Sequence, residues 1–220
     1  MKTGIIFDMD GTLWDSAENI AISWSSVMSR RENPDRQHVS VEEIHNIMGL
    51  TMTDIAHRLF PSSDPGLCEQ IMNECMEVEN QYLAKHGGVL YEGLEEALRQ
   101  LCLDGWPLYI VSNCQSGYIE AFLSYYHFEP YFEDIDCFGN TGLPKSGTIR
   151  KLADRNHLDG FYYVGDIQAD YDATVEAGGS FIHASYGFGT IRAEVPSIKS
   201  ITDLPDLMKQ LAGDTSSGAE

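Results

Sequence analysis

An α/β fold is expected for this chain: a parallel sheet covered by helices on both faces, with a helical segment inserted after the first strand. Two observations carry that expectation. Short apolar runs recur along the chain, at Gly4 to Phe7, PLYIVS (107–112), IDCFG (135–139), FYYVG (161–165) and FIHAS (181–185), with helix-period segments between them. Strands alternating with helices are the pattern of βαβ units, whose parallel sheet is buried on both faces. From Ser16 to about residue 86 the strand signals stop and helical ones succeed each other, which marks an insertion.

Gly4 to Phe7 forms the first strand, and Trp14 to Ser16 leads out of it into the insertion. Helices are expected there over 17–31, in SVEEIHNIM with Ser40 and Glu43 as a capping box, over 51–60, and through DPGLCEQIMNECMEVENQYLAKH. The flexible pair Gly87 and Gly88 closes the insertion, so hinges bracket it; Trp14 and Trp24 are read as hinge and core packing. Next, EGLEEALRQLCLDGW places Leu94, Ala97, Leu98, Leu101 and Cys102 on one stripe and stops at Gly105. SGYIEAFLSYYHF and SGTIRKLADRNHL each begin with a serine suited to cap a first turn. SIKSITDLPDLMKQL reads as a short strand and a closing helix. The expected organisation is a core of 1–15 and 87–212, a helical insertion of 16–86 and a disordered tail of 213–220.

Composition narrows the function. With 220 residues and 43% hydrophobic content, the chain can bury a full core. Lys plus Arg number 14 against 34 Asp plus Glu, a formal charge of −20, which repels polyanions. Nucleic acid and acidic membrane surfaces are therefore not expected partners. No run approaches the roughly 18 apolar residues of a membrane span, and the N-terminus goes into a strand without a charged leader, so a cytoplasmic location is expected. Five cysteines, in no C-x-x-C pair, are expected as buried free thiols, Cys114 included. An anionic small substrate would need local positive charge from a metal, a lysine or helix N-termini.

The chemistry is carried by GIIFDMDGTLWDS. If residues 5 to 10 stay extended, Asp8 and Asp10 face the same side, and their repulsion needs a remedy. A divalent cation with hard oxygen ligands, Mg²⁺, is one; a proton retained by one carboxylate is another, and both can hold together. Ser112 and Asn113 come after PLYIV of the second run, Lys145 after the third, and Asp166 and Asp170, in GDIQAD, after the fourth. The carboxyl ends of parallel strands share one edge, so these residues converge on Asp8. Together they supply what phosphoryl transfer through an aspartyl-phosphate requires: a carboxylate nucleophile, an acid/base, a metal and donors to the phosphoryl oxygens. Asp-x-Asp-Gly is not a calcium loop, because its glycine stands fourth and Asn19 stands at position 12. YGFGT (186–190) lacks the Gly-Lys-Ser/Thr of a Walker loop, and the seven histidines have no zinc-ligand spacing.

DMDGTL (8–13), SN (112–113), Lys145 and GDIQAD (165–170), in this order, make the sequence resemble the haloacid dehalogenase superfamily of aspartate-nucleophile phosphohydrolases. The insertion after the first motif looks like the helical C1 cap of the phosphoglycolate phosphatase and β-phosphoglucomutase branch. The stretch YYVGDIQADYDATVEAGGSFIHASYGFG looks most like bacterial members labelled phosphoglycolate phosphatase. The resemblance implies a Rossmann-like three-layer α/β/α core with a cap closing over the site. It also implies a Mg²⁺-dependent phosphatase acting on a small phosphorylated metabolite, as a monomer or homodimer. Asp8 would be nucleophile and metal ligand, and Asp10 the acid/base whose backbone carbonyl also meets the metal. Gly11, Thr12, Ser112 and the Asn113 amide would hold the phosphoryl group. Lys145 would balance charge, Asp166 would bind the metal, and Asp170 would orient that shell or Lys145. Within the cap, MGLTMTDIAHRLF (48–60) is expected over the site, with Arg58 as the candidate for a substrate carboxylate. A phosphomutase is the nearest alternative, disfavoured because the cap has no lysine before Lys85; a catalytically idle binding or regulatory member is the other.

Overall fold

The computed structural model describes residues 2–31 and 36–217. The chain enters as strand β1 (Thr3–Phe7), turns through 8–13, and forms the two-residue strand β2 (Trp14–Asp15). The insertion comes next as α1 (Ala17–Met28), α2 (Val41–His45), α3 (Met52–Leu59) and α4 (Pro65–His86). The chain returns through β3 (Val89–Leu90), which pairs antiparallel with β2. The two connections expected as hinges are thus stitched into one ribbon, whose two-residue strands are too short to leave a periodic signal.

The core continues with α5 (Leu94–Leu103), β4 (Leu108–Ser112), α6 (Tyr118–Tyr126), β5 (Phe132–Cys137), α7 (Phe138–Thr141) and α8 (Lys145–Arg155). It ends with β6 (Gly160–Gly165), α9 (Gln168–Ala177), β7 (Ser180–Ala184), β8 (Ser197–Ile198) and α10 (Leu204–Ser217). Six strands form one parallel sheet in the order β5-β4-β1-β6-β7-β8.

Alternation along the strands builds the three layers. Ile5, Phe7, Leu108 and Ile110 pack with Leu98 and Leu101 of α5 and Leu204 and Met208 of α10. Ile6, Tyr109, Val111 and Tyr163 pack on the other face with Ile149 and Leu152 of α8. Each such fully buried aliphatic side chain contributes about 1.5–3 kcal/mol. Within the insertion, Trp24 and Val27 of α1 and Ile71 and Cys75 of α4 belong to the same buried cluster as the first face. Ser40 and Glu43 form the expected capping box.

Several details differ from expectation. β5 starts at Phe132, whose ring packs edge-on against Phe7 at 6.2 Å, and Phe138 and Gly139 belong to α7 rather than to the strand. Neither core serine caps its helix: α6 starts after Gly117 in the left-handed region, and α8 begins at Lys145, which puts Ser146 inside the first turn. Lys145 is therefore a helix residue, not a loop residue. Cys102 lies at the edge of its stripe and is exposed, and Cys68 is partly exposed; Cys75, Cys114 and Cys137 are buried. α10 runs to Ser217, into the expected tail, because buried Leu204 and Met208 anchor its start and each further residue adds a ladder bond. Residues 218–220 of that tail lie outside the described residues. No helix among the described residues is long and apolar enough to cross a membrane.

The ribbon is clipped to the core by one hydroxyl. Tyr126 Oη accepts the Gly88 N–H at 3.0 Å and donates to the Gly88 carbonyl at 2.8 Å, while Trp14 packs edge-on against Phe122 at 5.0 Å. Tyr126→Phe strands both backbone groups and is expected to destabilise the fold by about 1–3 kcal/mol. Urea unfolding measures the loss, and hydrogen exchange is expected to rise first at residues 86–90.

Candidate active site

β4, β1 and β6 are neighbours in the sheet, so the residues just beyond their carboxyl ends meet at one edge. Asp8 comes directly after β1, Ser112 ends β4, Asp166 comes directly after β6, and Lys145 reaches in from the first turn of α8. Lys145 Nζ donates to Asp8 Oδ1 at 2.9 Å and to Asp170 Oδ1 at 2.6 Å. Asp170 Oδ2 accepts the backbone N–H groups of Asp166 and Ile167, each at 3.2 Å. One carboxylate oxygen from each of Asp8, Asp166 and Asp170 lies within 4.8 Å of the others. Tyr163 Oη, on β6, sits 3.4 Å from Asp8 Oδ1 and donates to the Val111 carbonyl at 2.7 Å.

Backbone approach makes this density possible. Gly11 has φ +81°, and a Cβ there would enter the Asp166 carboxylate. Gly187 lies against the Gly11 carbonyl and Asp166 in the same way, and the Phe188 N–H donates to Asp166 Oδ2 at 2.7 Å. The glycines of 186–190 are thus accounted for as a wall of the carboxylate cluster.

Three buried carboxylates share one ammonium, and burial without enough compensating charge raises the affinity of Asp8 and Asp166 for protons. Burial lifts Asp8 to about 6 against the pull of Lys145, and burial together with the charges of Asp170 and Asp8 lifts Asp166 to about 8. Burial works against the Lys145 ammonium, but Asp170 and Asp8 outweigh it and hold it well above its usual range. The oxygen-only, net-negative donor set fits a hard divalent cation such as Mg²⁺.

Asp10 is set apart from this cluster. β1 ends at Phe7 and the chain turns, with Thr12 N and Leu13 N both donating to the Met9 carbonyl, so the acidic pair is not the period-two pair of an extended strand. Asp10 Oδ1 accepts from Ser16 Oγ at 2.6 Å and from Tyr118 Oη at 2.7 Å, and burial lifts the group to about 7 against those bonds. Ser16 and Tyr118 carry no motif, and only the fold brings them together from 102 residues apart.

Asp10, Ser112 and Asn113 line a cavity of about 40 Å³ under the insertion, together with Gly49, Leu50 and Met52 from the 48–60 segment. Asn113 Nδ2 donates to the Gly49 carbonyl at 2.9 Å. Thr12 is buried, its carbonyl accepts Tyr186 Oη at 2.8 Å, and its hydroxyl has no partner among the described residues. Arg58 is not brought to the cavity. It is exposed on the outer side of the insertion, where Nη1 donates to the Asn46 carbonyl at 3.0 Å in a groove shared with Arg36 and Glu43. Burial pushes the Cys114 thiol well above its ordinary range, which fits a structural role. Sequence reasoning missed Glu79, buried in α4, which accepts the Trp24 indole N–H at 2.5 Å and the Gln115 amide at 3.1 Å. The one available signal was a glutamate on an apolar helix face.

A model of the haloacid dehalogenase-like hydrolase family matches residues 5–184. A protein named phosphoglycolate phosphatase from Vibrio parahaemolyticus is 25% identical over 198 residues, covering 84% of each chain. Among solved structures, a haloacid dehalogenase-like hydrolase from Bacteroides fragilis superposes with a TM-score of 0.80 at 22% identity, covering 93% of this chain and 100% of the other. A subfamily IA hydrolase from Geobacter sulfurreducens gives a TM-score of 0.68 at 19% identity, covering 94% and 96%.

The electrostatics make the fold sensitive to one cation and to pH. Lys145→Met removes the ammonium shared by the buried carboxylates and is expected to lower the unfolding free energy in chelator by about 3–5 kcal/mol, with part recovered on adding Mg²⁺. Burial raises Glu79 from 4.5 to about 8, so the fold binds an extra proton between those values and loses stability as pH rises through that window. Urea titrations at pH 5 and pH 8 are expected to show wild type losing stability relative to Glu79→Gln; equal losses would place Glu79 near its ordinary range.

Proposed function

The chain belongs to the haloacid dehalogenase-like hydrolases, and on that premise we propose that it is a Mg²⁺-dependent phosphatase of small phosphate monoesters working through an aspartyl-phosphate. One observation carries the reading: Asp8 is held by Lys145 beside Asp166 and Asp170, and Asp10 lines the adjoining cavity.

Asp8 is the nucleophile. Lys145 fixes one of its oxygens and offsets its charge, leaving the other to attack phosphorus. Asp10 is the acid/base. Ser16 and Tyr118 both donate to its Oδ1, which leaves Oδ2 to carry a proton to the departing alcohol and to take one back from the water that splits the acyl phosphate. Ser112 and Asn113 hold the phosphoryl oxygens, and Gly11 and Thr12 shape the turn beneath them. Asp8, Asp166 and the Asp10 backbone carbonyl would hold Mg²⁺, which neutralises charge on the phosphoryl oxygens when bound. Both Asp170 oxygens are already committed, to Lys145 and to two backbone N–H groups, which supports an orienting part for it. The insertion excludes water, needed because phosphate monoesters are among the slowest hydrolyses, with enzymatic accelerations up to about 10²¹.

Hydrolysis is favoured over a mutase reaction, since a bisphosphate would need a cation on the cap side of the cavity and no Lys, Arg or His among the described residues lines it. The exposed position of Arg58 gives no support to its holding a substrate carboxylate. The expected outcome for Asp8→Asn is loss of phosphate release from p-nitrophenyl phosphate with circular dichroism unchanged; wild-type turnover would exclude Asp8 as the nucleophile. Asp10→Asn is expected to slow turnover by about 10²–10⁴, most for esters with poor leaving groups.

A further inference from the structure

We propose that the cavity under the insertion selects phosphate esters whose leaving group is small, uncharged and hydroxyl-bearing, read by Glu79 and Gln115, and turns away leaving groups that carry a carboxylate. This selectivity defines the substrate class of the proposed phosphatase and rests on that reading.

The cavity has apolar walls from Ile20, Trp24, Ile44, Ile47 and Ile55, and no Lys, Arg or His among the described residues stands among its polar lining. Gln115 is 7% exposed. Its Nε2 donates to Glu79 Oε1 at 3.1 Å and to Asn80 Oδ1 at 3.0 Å. Asn80 Nδ2 is itself committed to the Ser116 carbonyl, at 2.8 Å, so Asn80 presents an oxygen and the Gln115 amide is fixed in orientation. Among the described residues, Gln115 Oε1 then has no partner, and neither does Asn113 Oδ1, whose Nδ2 is held by Gly49. Glu79, itself buried, stands beside them and fixes the Gln115 amide from the α4 side. Two buried amide oxygens without donors call for hydroxyls.

A carboxylate offers only further acceptors. Placed in this cavity it would meet the two unpartnered amide oxygens with no cation among the lining residues, and an unpaired buried charge is strongly disfavoured. The first turn of α3, at the rim, already carries its own acid, with Thr51 Oγ1 donating to Asp54 Oδ2 at 2.7 Å. The cavity therefore discriminates by repulsion as well as by fit. On this chemistry, phosphoglycolate, which names several relatives, is the wrong ester for this chain.

A matched pair of substrates tests this. 2-Hydroxyethyl phosphate is phosphoglycolate with its carboxylate replaced by a hydroxymethyl group, and phosphate release from both is measured with Mg²⁺ present. The expected kcat/KM ratio favours the neutral ester by about 10² or more. It is expected to persist at about 0.5 M KCl, where the long-range field of the acidic surface is screened. Gln115→Leu is expected to bring the ratio toward unity by losing the neutral ester. A ratio near one or reversed, with both esters cleaved, overturns the inference and leaves the phosphatase reading intact; so does a ratio that collapses in salt. If neither ester nor p-nitrophenyl phosphate releases phosphate, the phosphatase reading fails and the inference fails with it. The wild-type ratio decides the matter even where the variant does not fold.

Discussion

A carboxylate taken out of water must be compensated, and Asp8, Asp166 and Asp170 are taken out together at the edge of one sheet with a single ammonium among them. Most of the structure around that edge can be understood as a response to this imbalance. Lys145 is anchored by two carboxylates and sits at the start of a helix. Backbone N–H groups of Asp166, Ile167 and Phe188 are turned onto the carboxylates as further donors. The charge these groups leave uncompensated raises the affinity of Asp8 and Asp166 for a proton, or for a divalent cation in its place.

The parallel sheet is what brings the charges together. Strand order places β1 between β4 and β6, so the residues directly after β1 and β6, Asp8 and Asp166, meet, and Asp170 joins them from the first turn of α9. Such closeness leaves no room for side chains where loops cross the acids, and glycine at 11 and 187 answers that need. The insertion then adds a mostly apolar roof with no Lys, Arg or His among the described lining residues, a surface unlike the charged floor beneath it.

Much of this was legible in the sequence because it is local. Asp8, Lys145, Asp166 and Asp170 stand directly after apolar runs or open the next helix, and the order of the runs implies convergence whatever the loop conformations. The capping box at Ser40 was readable for the same reason. Long-range pairs were not legible. Ser16 and Tyr118 meet on Asp10, Tyr126 clips Gly88, and Glu79 meets Trp24 and Gln115, and in each case the partners lie on different elements with no spacing to connect them. Arg58 shows the converse error, since a cation on the right helix faces away from the cavity through a rotation that helix periodicity alone does not assign. The serines before α6 and α8 show that capping chemistry is only an option where glycine or proline also offers a start.

Asn113 has a place in both halves of the molecule. It stands next to Ser112 on the core, and its amide holds the Gly49 carbonyl of the insertion. Any outward swing of the insertion must break that bond, which frees the Asn113 side chain next to Ser112. On the proposed reading, the contact that opening breaks is re-made on closing, an interlock that ties the position of the insertion to the orientation of Asn113.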